Sequence, residues 1–187
     1  MKSLFTFIFF TLLTCTACFG GQFPLSDTEV LNYELSPGYE FKTSRDPDDQ
    51  FKFALNFSHF GQNQFRDLGS KVFLFKANKE DLESLKTDQK KREFLEVDCE
   101  YFKKGSVEKK TKIQKFKGES DVFYCSFTDE SLVGQENLLP GQFKHVTVAL
   151  AINHEFEFLA RVFSNSVEDN TFNDFLKIMS TLNVTEK

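Results

Sequence analysis

The chain has 187 residues, a formal net charge of -5 at pH 7, 25 Phe and no Trp. This length allows one domain with a sizeable buried core, and the composition is globular, which excludes wholesale disorder. The negative charge makes nucleic acid a poor partner, because binding to phosphates needs a cationic surface. The excess of Phe predicts core packing, with a pocket for an apolar ligand as the alternative, because Phe carries no polar group.

The N-terminus has the pattern of a secretory signal peptide, which we place at residues 1–20. Lys2 precedes an uncharged run over residues 4–13, and small residues follow. The run is shorter than the ~20 apolar residues that a membrane-spanning helix needs. We therefore expect an exported protein of the periplasm, the cell envelope or the extracellular space, with a single domain over residues 23–187.

Cys15 and Cys18 lie where bacterial lipoproteins carry the cysteine that becomes acylated. Leu12 stands three residues before Cys15, whereas Ala17 directly precedes Cys18. Lipidation at either cysteine and ordinary cleavage near Ala17 or Gly20 are both compatible with these residues. A lipid anchor is the only membrane contact that we expect.

The first part of the mature chain predicts β-strands. "EVLNYEL" (29–35) and "YEFKTS" (39–44) flank a Pro-Gly turn, so we expect them to form a hairpin. Apolar and polar residues then alternate over 51–58, as in a strand that is buried on one face. "SKVFLFK" (70–76) predicts a further strand.

The middle of the chain changes to a helical period. Asn78 can cap a helix, and Leu95 and Cys99 share one helical face. The spacing leaves open whether one helix forms or two, broken near Thr87. The following segment, Lys103–Lys117, carries seven lysines and one glutamate. We expect a solvated loop there, with contact to an anionic surface as the alternative.

The last part of the chain predicts a strand, a hairpin and a helix. The strand covers residues 121–128, and alternation over 146–162 predicts a hairpin whose turn contains Asn153 and His154. The final helix begins at a cap provided by Asp169 or its neighbour and runs towards the C-terminus. Its apolar face is expected to pack on the sheet.

Cys99 and Cys125 are the only cysteines beyond the predicted signal peptide. Both belong to the apolar faces of their predicted elements. Because disulfides persist in exported proteins, we predict a disulfide between them. A pair of buried free thiols is the alternative, since a thiol can pack like a small apolar side chain.

The histidine and glutamates of the predicted hairpin do not form a recognisable site. His154, Glu155 and Glu157 are close in sequence, but the second histidine of a metalloprotease helix is missing. We interpret His154 as a turn residue and the two glutamates as the polar face of the returning strand. No catalytic residue, cofactor or metal is expected.

Other titratable residues are scattered along the chain. His59 and His145 stand alone near strand ends, and Asp46, Asp48 and Asp49 lack the spacing of a calcium-binding loop. A hydrolase using His and Asp residues would require at least two of these groups to converge in one cleft. We expect a solvated loop at the aspartates.

Two stretches of the chain carry a family resemblance. "YELSPGYEF" (33–41) is similar to the opening strand and Pro-Gly turn of the PsbP/Mog1-like superfamily, and "FLARVFSNSVEDNTFNDFLKIMSTLNV" (158–184) resembles its last strand, acidic loop and terminal helix. The lack of Trp and the lysine-rich segment depart from that group. The resemblance implies a single α+β domain, an antiparallel β-sheet covered by helices, and a binding or assembly role without transferable catalytic residues.

These patterns together predict a non-enzymatic, monomeric envelope protein that binds an unknown protein partner. One alternative is a carrier of a small apolar ligand in a Phe-lined cavity. A hydrolase is the other alternative, and it depends on the convergence of histidines and aspartates described above.

Overall fold

The computed structural model describes residues 19–44, 53–60 and 66–187. The strands in these ranges are β1 (Phe19–Pro24), β2 (Glu29–Leu35), β3 (Tyr39–Ser44), β4 (Phe53–Phe60), β5 (Arg66–Lys76), β6 (Gln114–Lys117), β7 (Asp121–Thr128), β8 (His145–Asn153), β9 (Phe156–Ser164) and β10 (Asn183–Glu186). The helices are α1 (Lys79–Ser84), α2 (Asp88–Lys103) and α3 (Asn170–Thr181).

The described strands form two antiparallel sheets. The smaller sheet has the order β1-β2-β10, and the larger sheet has the order β3-β4-β5-β9-β8-β7-β6. The smaller sheet and α3 lie on one face of the larger sheet, and α2 lies on the other face. The predicted α+β fold, with an antiparallel sheet covered by helices, is confirmed.

The larger core lies between the seven-stranded sheet, α3 and the smaller sheet. The alternation in β4 places Leu55 and Phe57 in this core, and both are fully buried. Phe175 of α3 meets Phe57 edge to face, with ring centroids 6.3 Å apart. Asp169 caps α3 by accepting a hydrogen bond from the Phe172 amide at 2.8 Å. Burial of each of the Leu55, Phe57 and Phe175 side chains contributes roughly 1.5–3 kcal/mol to the stability of the fold.

The smaller core lies between α2 and strands β7 and β8. Leu95 of α2 and Phe123 of β7 are fully buried. A disulfide joins Cys99 of α2 to Cys125 of β7, with an S–S distance of 2.06 Å. The bond attaches the helix covalently to the strand on which it packs.

The helical middle of the chain forms two helices. Asn78 caps α1 by accepting a hydrogen bond from the Asp81 amide at 2.9 Å. Thr87 caps α2 in the same way, with the Lys90 amide as the donor at 3.2 Å. Each cap satisfies an amide that lacks a partner within its helix, so a second cap at Thr87 starts a second helix.

The hairpin predicted for residues 29–44 was wrong. Both strands exist, but β2 pairs with β1 and β10, whereas β3 pairs with β4. Gly38 provides the reversal with a φ of 86°. A turn sequence fixes the change of direction but not the strand that each side then meets, and here the two strands enter different sheets.

Three short strands were not predicted. β1 overlaps the end of the predicted signal peptide, and its Gly21 lies against the Tyr33 ring of β2. β6 lies within the predicted lysine-rich loop, and β10 begins where the final helix was expected to continue towards the C-terminus. Each has only four to six residues, too few for a clear period of two.

Candidate functional site

Half of the α2 side of the seven-stranded sheet lies beyond that helix. α2 packs mainly on β7 and β8 and reaches β9 through Phe102, which lies against Arg161, while the same face continues over β5 and β4. We call this half the open face, and it presents the side chains of Phe60, Arg66, Lys71, Phe73, Arg161 and Phe163. Phe163 is 42% exposed and Phe60 37%. A surface that combines exposed aromatic rings with cations differs from an ordinary solvated sheet.

The cations of the open face are held over aromatic rings. The Arg161 guanidinium lies 5.9 Å from the ring centroids of both Phe73 and Phe102. The Lys71 ammonium lies 5.0 Å from the Phe73 centroid. Cation–π attraction at these distances restricts where the charged groups can sit.

Lys71 and Arg161 occupy directly opposite positions on β5 and β9. Like charges in such cross-strand positions repel each other, because neighbouring strands are only about 5 Å apart. Neither side chain forms an ion pair with a carboxylate of the described residues. Asn56 of β4 faces Lys71 from the other side. The open face therefore holds two adjacent, uncompensated positive charges.

A cavity of about 400 Å³ adjoins the open face at the end of the sheet, lined by Arg66, Lys144, Asn165 and the loop 136–142. The Arg66 guanidinium lies 5.7 Å from the Phe60 centroid. Arg66 thus belongs both to the open face and to this cavity, whose lining also includes the carboxylate of Glu136.

His59 lies on the opposite face of the sheet and has a structural partner. Its Nδ1 is 2.7 Å from a carboxylate oxygen of Asp67, and its ring lies 5.2 Å from that of Tyr39. The Tyr39 hydroxyl donates to the Thr171 carbonyl at 2.5 Å, and burial raises the pKa of this phenol. These contacts tie β3 and β4 to the start of α3.

His145 belongs to a separate hydrogen-bonded group. Its Nδ1 is 3.1 Å from the Thr128 hydroxyl, which donates to Glu108 at 2.6 Å. Burial lowers the pKa of the His145 imidazole. Burial would raise the pKa of Glu108, but the hydroxyl and amide of Thr128 hold it below its usual range. Ser164 lies directly opposite His145 on β9, and its hydroxyl is buried without a hydrogen-bond partner in the described residues.

The described histidines do not converge in one cleft. His59 and His145 lie in one row across the sheet, but β5 and β9 separate them. His154 lies in the turn at the other end of β8, with a φ of 52°, as its assignment to a turn requires. Asp46, Asp48 and Asp49 lie outside the described residues.

Glu157 departs from its expected place on a polar strand face. Its exposed fraction is only 9%, and its strand neighbours are Phe75 and Ile152. Burial, with a smaller contribution from Asp81, raises the pKa of its carboxyl. Glu155 does point outward, as predicted, and forms an ion pair with Lys76 at 3.3 Å.

The segment Lys103–Lys117 runs back along α2 rather than forming an isolated loop. Lys115 lies 2.7 Å from Asp88 at the start of α2 and 2.6 Å from Asp121 of β7. Lys109 pairs with Glu130 at 2.7 Å. Part of the lysine charge is therefore neutralised within the domain, which weakens the case for an anionic surface at this segment.

The remaining sequence predictions concern cofactors, cavities and the N-terminus. Within the described ranges, no three metal-binding side chains come together. A cavity of about 660 Å³ does not favour the apolar carrier, because it is open and lined largely by polar residues. Cys15 and Cys18 lie outside the described residues. No described helix combines the length and apolarity needed to cross a bilayer.

The chain has no match among protein-family models, and none among curated protein sequences. Among solved structures it is similar to the solution structure of cyanobacterial PsbP (CyanoP) from Synechocystis sp. PCC 6803. The two chains share 10% sequence identity, the match covers 83% of this chain and 86% of the other, and the TM-score is 0.43. The expected PsbP-like structural resemblance is thus found, and it is weak.

The open face was not predicted from the sequence, although part of its signal was visible. Lys71 and Phe73 alternate with buried Val72 and Leu74, so an outward position for them is readable from the period of two. The pairing of Lys71 with Arg161 was not readable, because it depends on the register between β5 and β9.

Proposed function

We propose that this protein is an exported, non-catalytic binding module that docks an acidic segment of a protein partner on its open face. The observation that carries the proposal is the opposition of Lys71 and Arg161 without a carboxylate partner among the described residues. Their repulsion costs folding free energy that carboxylates of a partner would offset.

The chemistry of the open face favours a protein segment over a lipid headgroup. Arginine and aromatic residues are enriched at the energetically dominant positions of protein interfaces. Arg161 lies over Phe73 and Phe102, and Phe163 is exposed beside it. A restrained guanidinium next to exposed rings suits a partner that presents both a carboxylate and an apolar side chain.

A non-catalytic role is supported by the separation of the described histidines. His145 holds Thr128, and His59 holds Asp67, so each imidazole has a structural contact of its own. Export is supported by the signal-like N-terminus and by the disulfide between Cys99 and Cys125. Intact mass of the natural protein tests the N-terminus, since an acyl-sized increment on Cys15 or Cys18 marks a lipid anchor.

Photo-crosslinking in the native host tests the docking surface. A benzophenone amino acid in place of Phe163 should crosslink to one discrete protein, whereas the same amino acid in place of Val97 should not. Val97 is a matched control because it is an exposed apolar residue on α2. Equal crosslinking from both positions, or from Val97 alone, would contradict the proposal.

Charge reversal then tests the chemistry of recognition. Lys71→Glu with Arg161→Glu should abolish the crosslink from position 163, while Lys110→Glu with Lys112→Glu changes the net charge equally and should leave it intact. Vesicles of phosphatidylglycerol provide a second arm. Binding of the wild-type protein to these vesicles that is lost in the open-face variant, without any protein crosslink, would replace the protein partner by a membrane surface.

A further inference from the structure

A second cleft lies on the smaller sheet, and its lining is polar and acidic, unlike the cationic open face. Its volume is about 660 Å³, and its lining comes from β1, β2, the end of α3, the start of β10 and the turn between β6 and β7. These elements are brought together by hydrogen bonds from the Ser120 amide and hydroxyl to the Ser180 carbonyl, at 3.0 and 2.8 Å. The cleft therefore lies where the smaller sheet, the end of α3 and the turn between β6 and β7 meet.

A row of three amides crosses the smaller sheet within this cleft. Gln22, Asn32 and Asn183 occupy directly opposite positions on β1, β2 and β10. The side-chain amide of Gln22 donates to the side-chain oxygen of Asn32 at 3.0 Å. The side-chain amide of Asn32 in turn donates to the Thr185 hydroxyl at 2.9 Å. The Asn183 side-chain oxygen is buried and accepts no hydrogen bond from the described residues. The row thus ends on an unsatisfied acceptor, which costs free energy while it stays unpaired.

The charges around the amide row are negative. Glu34 and Glu119 line the cleft, and neither forms an ion pair within the part of the chain that the structure describes. Lys177 borders a separate small gap beside Glu34 without pairing with it. Thr181, the last residue of α3, also lines the cleft, and the last turn of α3 has no basic residue to offset the negative end of its dipole.

We infer that this acceptor cleft, defined by Gln22, Asn32, Glu34, Glu119, Thr181 and Asn183, binds an organic cation that donates several hydrogen bonds. A primary ammonium or a guanidinium group has this chemistry, because it carries positive charge and only donors. The carboxylates of Glu34 and Glu119 and the carboxyl end of α3 are complementary to it. The group can belong to a lysine or arginine side chain of a peptide or to a free polyamine. This site is independent of the open face, which has the opposite charge.

Titration of the isotope-labelled full domain by NMR tests this inference with two probes, a short lysine-containing peptide and cadaverine. Signals of β1, β2 and β10 should shift with either probe, and the same peptide with acetylated lysines should cause no shift. Binding of both probes identifies the amine as the recognised group. Binding of the peptide alone identifies a basic polypeptide, and binding of cadaverine alone identifies a free polyamine.

Variants of the two carboxylates provide the control. Glu34→Gln with Glu119→Gln should weaken binding at least about tenfold, because charge-assisted hydrogen bonds are lost without a change in shape. Glu80→Gln with Glu96→Gln removes the same charge from exposed positions on α1 and α2 and should leave the affinity unchanged. The inference is overturned if neither probe shifts the cleft signals, if both double variants bind equally, or if only calcium binds there.

Discussion

The two halves of the α2 side of the seven-stranded sheet differ sharply, although they belong to one continuous surface. On β8, Val148 is fully buried beneath α2, whereas Arg161, directly opposite it on β9, is exposed. At this register the side chains change from apolar to cationic between two neighbouring strands, although Leu159 and Glu157, further along the same face of β9, remain half-buried and buried. The covered half therefore contributes to the smaller core, whereas the open face is the surface that we propose for recognition.

The largest expected difference between the two halves is in stability. Leu95→Ala in the covered half should lower the free energy of unfolding by about 2–5 kcal/mol, because it leaves a cavity in the smaller core. Phe163→Ala on the open face should change it by less than about 1 kcal/mol, because that ring is partly exposed and leaves no enclosed void. Urea denaturation of both variants measures this, and similar losses would remove the distinction.

The disulfide should contribute nearly as much to the covered half. Cys99→Ser with Cys125→Ser opens a link that spans 26 residues and should cost about 2–5 kcal/mol, mainly by freeing the unfolded chain. Thiol counting in denaturant checks the bond itself, since two additional thiols should appear only after reduction. Two thiols without reductant would show that the cysteines are free.

Glu157 provides a smaller and pH-dependent effect. Burial raises the pKa of its carboxyl in the folded protein, so folding favours the protonated form. This contribution is fully present below the pKa of the unfolded chain, about 4.3, and is lost as the pH rises through the folded pKa. Glu157→Gln, which stays neutral, should therefore raise the melting temperature at pH 7, and the gain should disappear at acid pH.

The neighbouring glutamate provides the control for this pH effect. Glu155→Gln removes an exposed partner of Lys76 and should give no gain at pH 7. If both variants are stabilised equally, general relief of negative charge explains the effect instead of the burial of Glu157.

Much of the fold was readable because the long elements carry strong periods. The alternation of β4, β8 and β9 and the cap at Asp169 predicted the elements that form the larger core. Pairing between distant strands was not readable. β2 pairs with β10 although most of the chain separates the two strands in sequence. A turn or a local pattern contains no information about such a contact.

The open face and the cleft on the smaller sheet could not be predicted from the sequence for the same reason. Lys71 and Arg161 are 90 positions apart, and Asn32 and Asn183 are still further apart, so only the sheet registers bring them together. Glu157 was misplaced because alternation assigns a residue to a face but does not say whether that face is covered. Local sequence thus predicts faces, while coverage and pairing come from the tertiary structure.

The most direct test of the central claim is an NMR titration of the labelled protein with a short peptide that contains glutamates and one phenylalanine. We predict shifts of the Lys71, Arg161 and Phe163 signals, no shift of exposed Val97 on α2, and loss of the effect in Lys71→Glu with Arg161→Glu. Shifts confined to α2, or binding that persists in that variant, would contradict recognition of an acidic segment by the open face.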